Sequence, residues 1–172
     1  MTFRHCFAFS TVLALAGCAN APAPQAVPLL DNARSPVAGV LVTGRIAPGD
    51  IESLRDAGIR RVVDLTPDAE TPDFDEASAV RAAGLGYANL PLGGPGDLTR
   101  DNVAAFDALM RDATQPVLVH CASGNRVGAM AALRAAWIEG RSAEHAVAIG
   151  KAWGLTGLED EVRRRIASGG AP

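Results

Sequence analysis

The sequence predicts an α/β fold: a central, mostly parallel, four-stranded sheet flanked by helices. Three observations carry that expectation. Short apolar runs bounded by Gly and Pro alternate along the chain with segments of helical periodicity. Helical connections between successive strands act as crossovers, which leave neighbouring strands parallel. The chain has 172 residues, of which 48% are hydrophobic and 20% charged, enough for one globular domain and too apolar for a disordered chain.

The elements follow in order. The apolar run VAGVLV, 37–42, reads as the first strand, and Gly44 and Pro48 punctuate the turn into a short helix over 51–57 that Gly58 closes. RVVDL, 61–65, is a second strand; a polar loop with Pro67 and Pro72 leads to a helix over 74–83, ended by Gly84 and Gly86. Residues 87–92 form a third strand, GGPGD a loop, and Thr99 an N-cap for a helix over 100–112. PVLVH, 116–120, is the fourth strand. Three helices complete the chain, over 127–139, over 143–153 behind Ser142, and over 158–167, with no internal repeat and no second domain.

The amino-terminal segment has a different character. Arg4 and His5 precede an apolar stretch, 6–16, too short to span a bilayer and laid out as a secretory signal. Leu15-Ala16-Gly17-Cys18 resembles the lipobox of bacterial lipoproteins, which implies cleavage after residue 17 and a lipid on Cys18. Acyl chains contribute about 0.8 kcal/mol per buried methylene, so such an anchor holds a protein firmly to a membrane. The expected organisation is a signal peptide over 1–17, a lipidated Cys18 with an Ala- and Pro-rich tether over 18–36, and a domain over 37–172. That domain would face the periplasm as a monomeric unit of the cell envelope. Ala19, where some inner-membrane lipoproteins carry an acidic residue, points to the outer membrane.

Composition excludes some classes of function. A formal net charge of -3 gives no general attraction to nucleic acid. Three Cys and three His, without zinc spacings, leave little for a metal cage, and neither metal nor cofactor is expected. Once Cys6 is removed and Cys18 acylated, Cys121 is the one free thiol left.

The chemistry concentrates at His120-Cys121-Ala122-Ser123-Gly124-Asn125-Arg126. A buried strand ends at the thiol, a short loop follows, and a helix begins at once. The first N–H groups of a helix are unpaired, and the dipole adds its positive end, so an anion is expected there. Backbone amides from Ala122 to Arg126 can form a nest around a phosphate or sulfate, with Gly124 permitting the tight path and the Arg126 side chain gripping two anion oxygens. The same field favours the thiolate of Cys121, which could attack phosphorus in line and form a phosphocysteine that water hydrolyses. A buried inert Cys beside a surface Arg is the alternative reading of these residues.

HCASGNR resembles the active-site loop of the cysteine phosphatase superfamily. The surrounding chain, from TGRIAPGDIESLRDAGIRRVVDLTPDAE through LPLGG to HCASGNRVG, resembles its dual-specificity-like bacterial branch and, within it, the phosphatase-like domain family associated with beta-lactamase-hydrolase-like proteins. The resemblance covers about residues 37–165. It implies a four-stranded parallel core, Cys121 as nucleophile, phosphate held by the amides of Ala122, Ser123, Gly124, Asn125 and Arg126 and by the Arg126 side chain, and His120 orienting the loop and tuning the thiolate. The implied substrate is a phosphorylated protein or a small phosphate ester, turned over without metal.

Three departures from that pattern bear on the chemistry. Four residues separate Cys121 from Arg126 where phosphatases usually have five, and the shorter loop is similar to that of rhodanese sulfurtransferases, which opens a Cys121 persulfide as an alternative. Val127 replaces the hydroxyl residue that helps the thiolate leave, so Ser123 would have to substitute, or the domain would bind phospho-ligands with little turnover. The general acid is expected from a separate loop, and Asp97 in GGPGD is its candidate, a few residues later than the family pattern places it. Asp64, Asp68 and Glu70 could lie near the same pocket, though each also suits a turn or a solvated surface. Structural roles are expected for His145, Trp137, Trp153 and the Arg163-Arg164-Arg165 run, and Tyr87 is expected in the core with its hydroxyl satisfied.

Overall fold

The computed structural model describes Met1 and residues 28–112 and 116–169. The expected signal peptide, Cys18 and most of the tether fall outside the described residues.

The sheet has five strands, in the order β1-β2-β5-β3-β4: β1 (Arg34–Val37), β2 (Val40–Thr43), β3 (Arg61–Asp64), β4 (Gly86–Asn89) and β5 (Val117–His120). Four of them are parallel, as the crossover pattern predicts. The fifth is the correction. VAGVLV is no single strand but the turn and second arm of a hairpin, with β1 antiparallel to β2 and Gly39 making the turn at φ +75°. Folded structure therefore starts before residue 37, with a helical turn, α1 (Pro28–Asp31), and then β1. Pro36 lies in β1, which an edge strand tolerates.

The remaining helices are α2 (Ile51–Asp56), α3 (Glu76–Ala82), α4 (Arg100–Asp112), α5 (Asn125–Trp137), α6 (Ala143–Ala152) and α7 (Glu159–Ala167). Thr99 caps α4 by accepting from the Asn102 N–H, and Ser142 caps α6 by accepting from the His145 N–H. Alternation along the strands divides the core in two. Val62 and Leu118 face α2 and α3 with Ile51, Leu54 and Val80. Val40, Val42, Val63, Val117 and Val119 face the opposite layer with Phe106, Met130 and Leu133. Fully burying side chains of this size contributes about 1.5–3 kcal/mol each. Trp153 packs edge-to-face on Phe106 at 6.4 Å, in keeping with its expected structural role.

Helices α5 and α6 approach more closely than side chains would allow. A Cβ on Gly128 would stand 2.0 Å from the Leu155 amide nitrogen and 2.7 Å from the Gly150 carbonyl oxygen, so this contact requires glycine. The packing seats the segment after α6 against the start of α5, where the loop after β5 turns.

Candidate active site

Central strand β5 is buried throughout, and its last residue, His120, lies in register with Thr43 of β2 and Asp64 of β3. The loop that follows thus leaves the sheet at the carboxyl ends of parallel strands, where α/β folds form their crevices.

Cys121 is 1% exposed and stands at the mouth of that loop. Its Sγ accepts the Gly124 N–H at 3.2 Å, in a turn made possible by Gly124 at φ +82°. The amides of Ala122, Ser123, Asn125 and Arg126 donate to no acceptor among the described residues. The sulfur therefore sits at the amino end of the 13-residue helix α5, facing the partial positive charge of unpaired N–H groups. Gly44 lets β2 close on the loop, since a Cβ there would meet the Ala122 carbonyl oxygen at 3.1 Å.

Arg126 turns back toward this crevice. Its Nη1 and Nη2 donate to Glu70 Oε1 and Oε2 at 2.7 and 2.8 Å, and Nη1 also donates to the Leu92 carbonyl. The Glu70 carboxylate raises the Arg126 pKa, and the Arg126 guanidinium holds the Glu70 carboxyl below the usual carboxylate range. A guanidinium has five N–H groups. Three are taken by Glu70 and Leu92, which leaves Nε–H and one Nη2–H, the parallel pair that can grip an anion through two oxygens, without an oxygen acceptor among the described residues, while the Cys121 sulfur also acts on the guanidinium and helps raise its pKa. Glu70 lies in the short turn Asp68–Glu70 after β3. The sequence offered it only as a residue that could lie near the pocket; the structure brings it into contact with Arg126.

The other end of the loop is closed. His120 Nε2 lies 2.8 Å from Glu76 Oε1 and 3.5 Å from Asp64 Oδ1, with all three side chains buried. Asp64 Oδ1 accepts the Thr66 N–H at 2.7 Å, and Oδ2 accepts from Tyr87 Oη at 3.0 Å and from Asn89 Nδ2 at 3.1 Å. Burial first, and then the Asp64 charge, push the Tyr87 phenol well above its ordinary pKa. Asp64, Glu76 and His120 bring donor atoms within 4.8 Å of one another, a spacing a cation could use. The Asp64 oxygens are, however, engaged by protein donors. Glu76 escaped sequence reasoning; its one signal was an acidic residue at the start of a helix whose next turn is apolar.

Two expected site residues also make side-chain bonds of their own. The Asn125 side-chain Oδ1 accepts the Thr156 and Leu158 N–H groups at 2.8 and 3.3 Å, while its backbone amide, the group expected to meet a ligand, donates to no acceptor among the described residues. A polar loop side chain that clamps the segment before α7 has the same sequence signature as one that binds substrate. Asp97 closes its own turn, Oδ2 accepting the Gly93 and Gly94 N–H groups at 2.6 and 3.1 Å. Its loop begins at Leu92, whose carbonyl touches Arg126. Ser123 is exposed, and Val127 is wholly buried. His145 is exposed, and Arg163, Arg164 and Arg165 pair with Glu144, Glu159 and Glu161.

Comparison with known proteins agrees with this geometry. A family model described as the beta-lactamase hydrolase-like protein, phosphatase-like domain, matches residues 32–138. The beta-lactamase hydrolase-like protein of Agrobacterium fabrum is 34% identical over 89 residues, covering 49% of this chain and 20% of that protein. Its counterpart in Xylella fastidiosa is 36% identical over 103 residues, covering 57% and 23%. The chain thus spans about a fifth of the length of the curated relatives it matches. Among solved structures, a candidate phosphatase of Neisseria meningitidis superposes with a TM-score of 0.66 at 24% identity, covering 79% of this chain and 96% of its own. Tk-PTP in its active form gives 0.58 at 18% identity, covering 79% and 96%. At these identities the structures establish the fold, which is that of the protein tyrosine phosphatase-like proteins. With more than half of its length matched by the family model, the chain belongs to the phosphatase-like domain family of the beta-lactamase hydrolase-like proteins.

Proposed function

We propose that this domain hydrolyses phosphate monoesters through a phosphocysteine on Cys121, with phosphotyrosine or dual-specificity protein substrates as the favoured class. The observation that carries the reading is the pairing of a buried sulfur at the start of α5 with an Arg126 that acts on that sulfur and keeps two N–H groups without an oxygen acceptor among the described residues, a fork for an anion. The Cys121 thiolate attacks phosphorus; the S–P bond forms as the P–O ester bond breaks. The fork and the loop amides stabilise the charge on the equatorial oxygens. The leaving oxygen takes a proton from Asp97, whose Oδ1 is the oxygen not engaged in closing its turn. The alcohol carries that proton away; a water then gives one of its own protons to the Asp97 carboxylate as it attacks phosphorus, breaks the S–P bond, frees inorganic phosphate and restores the thiolate. No metal takes part.

His120, clamped by Glu76, fixes the strand end from which the loop springs. With the buried Val127 after Arg126, no hydroxyl follows the Arg to help the thiolate leave, so phosphoenzyme hydrolysis is expected to limit the rate. We also read Cys18 as the lipidated first residue of a protein facing the periplasm; replacing Cys18 by Ser should release the chain from the membrane fraction.

The test is phosphate release from nitrophenyl phosphate by the chain purified in detergent, with reductant and chelator. A burst of nitrophenolate followed by slower turnover is expected. Cys121→Ser abolishes both phases, and Arg126→Ala lowers the rate about a hundredfold or more. Asp97→Asn should slow an alkyl phosphate far more than nitrophenyl phosphate, because only the poor leaving group needs the proton; equal losses remove Asp97 from the acid role. The four-residue spacing from Cys121 to Arg126 favours sulfur transfer as a second reading. Thiocyanate formed from thiosulfate and cyanide, with no phosphate released, would establish it, and silence in both assays would leave a phospho-ligand-binding module.

A further inference from the structure

Arg45 lies two residues beyond the end of β2, beside the loop, its backbone N–H donating to the Ala122 carbonyl at 3.3 Å. Its guanidinium lies beside Glu70: Nη1 donates to the Glu70 main-chain oxygen at 2.6 Å, and Nη2 is 3.5 Å from Oε2. The same carboxylate holds Arg126. A single carboxylate shared by two guanidinium groups keeps them roughly 5–7 Å apart, the span of two ion contacts.

The two cations are differently committed. The Arg126 side chain is 12% exposed and has three N–H groups engaged, whereas that of Arg45 is 45% exposed. Only its Nη1 makes a hydrogen bond among the described residues, Nη2 being in looser ion contact with Glu70, so this half-exposed side chain keeps donors available for a ligand. Glu70 offsets one of the two positive charges, and the second is left beside the position of the phosphate.

We propose that Arg45 is a specificity-determining residue that anchors a second anionic group on the substrate, so that the site prefers phosphate monoesters carrying a carboxylate or a further phosphate beside the scissile group. The inference rests on the reading of Cys121 and Arg126 as the phosphate site. A monoester anchored in the Arg126 fork places its substituents toward the open rim, within reach of a long flexible cation. The Arg45 contribution is that of a half-exposed ion pair, below about 1 kcal/mol, or about fivefold in affinity.

The experiment measures binding to the full chain carrying Cys121→Ser, so that it does not depend on turnover. The probes are two phosphotyrosine peptides identical except for Glu or Gln on both sides of the phosphotyrosine. Phenyl monophosphate against a benzene bisphosphate separates a second phosphate from a carboxylate as the recognised group. The Glu peptide should bind about fivefold more tightly; adding Arg45→Ala should bring the ratio to near one, and Arg45→Lys should keep most of it. With Cys121 intact, the same ratio should appear in KM rather than kcat. An equal loss on both peptides in Arg45→Ala would make Arg45 a support for Glu70 alone, and a ratio unchanged by Arg45→Ala would overturn the inference. If neither peptide nor phenyl phosphate binds, the phosphate-site reading itself fails, a result distinct from both peptides binding equally well.

Discussion

His120 and Arg126 stand at the two ends of one loop, and each is held by a carboxylate, yet the two grips differ in kind. Glu76 meets His120 at 2.8 Å in a place closed to water, within a network that includes Asp64, Thr66, Tyr87 and Asn89. Glu70 meets Arg126 at nearly the same distance, but both side chains reach solvent. Inside the protein a carboxylate without its partner is costly, so the first grip is scaffold. At the surface water replaces a lost partner cheaply, so the second can orient a side chain while leaving it free to take up a ligand. The loop is held by a buried grip where it leaves the sheet and by a partly exposed one at the proposed anion fork.

The largest expected effect comes from breaking the closed end. Glu76→Ala leaves His120 buried without its 2.8 Å partner and should destabilise the fold by about 3 kcal/mol. In a domain of this size that lowers the Tm by roughly 6–12 °C. Thermal unfolding checks it: a loss below about 1 kcal/mol would mean that the two ends of the loop are alike after all.

A smaller effect tests the same network through Tyr87, the one tyrosine in the chain. Its phenol donates to Asp64 and is held well above its ordinary pKa by burial and by that charge. A raised folded value means that the stabilisation is complete below the unfolded pKa of about 10 and is lost as pH climbs beyond it toward the folded one. Absorbance near 295 nm should therefore show no tyrosinate while the protein remains folded in alkali, then a step that coincides with unfolding. Tyr87→Phe should remove that alkaline sensitivity at a cost of about 1.5 kcal/mol near neutrality. Smooth ionisation at an ordinary pKa would place the phenol outside the network.

How much of this could be read in the sequence depends on distance along the chain. Cys121, Gly124 and Arg126 fall within six consecutive residues, and strand, turn and helix follow from local pattern, so the loop was legible. The partners were not. Glu70 lies 56 residues from Arg126 and Glu76 lies 44 from His120, and their meeting depends on strand register and on how the β3–α3 connection folds over the sheet. The same limit hid Arg45, whose neighbour Gly44 was legible only as a turn. β1 was missed for a different reason: RSPV carries a charge and a Pro, signals against a central strand but compatible with an edge.

The smallest effect on stability, and the one that most sharpens the contrast, belongs to Glu70→Gln. The variant keeps the size of the side chain but loses the charged, two-oxygen grip on Arg126. Because the pair is partly exposed, stability should change by less than about 1 kcal/mol. If Glu70 serves to orient the free fork, kcat falls by about tenfold, which is about 1.4 kcal/mol of transition-state stabilisation, while KM changes little. If Glu70 instead competes with the substrate for Arg126, KM falls and kcat holds. The pH dependence provides a separate check. Arg126 lowers the Glu70 pKa, so the stability it contributes is present above the unfolded value of about 4.3 and is lost as pH falls through the folded one. The small difference in Tm between wild type and Glu70→Gln should therefore be constant from neutrality down to about pH 5 and close below the ordinary carboxylate range. A gap that persists in strong acid would show that the variant acts through packing, and the surface grip would then resemble the buried one more than its exposure allows.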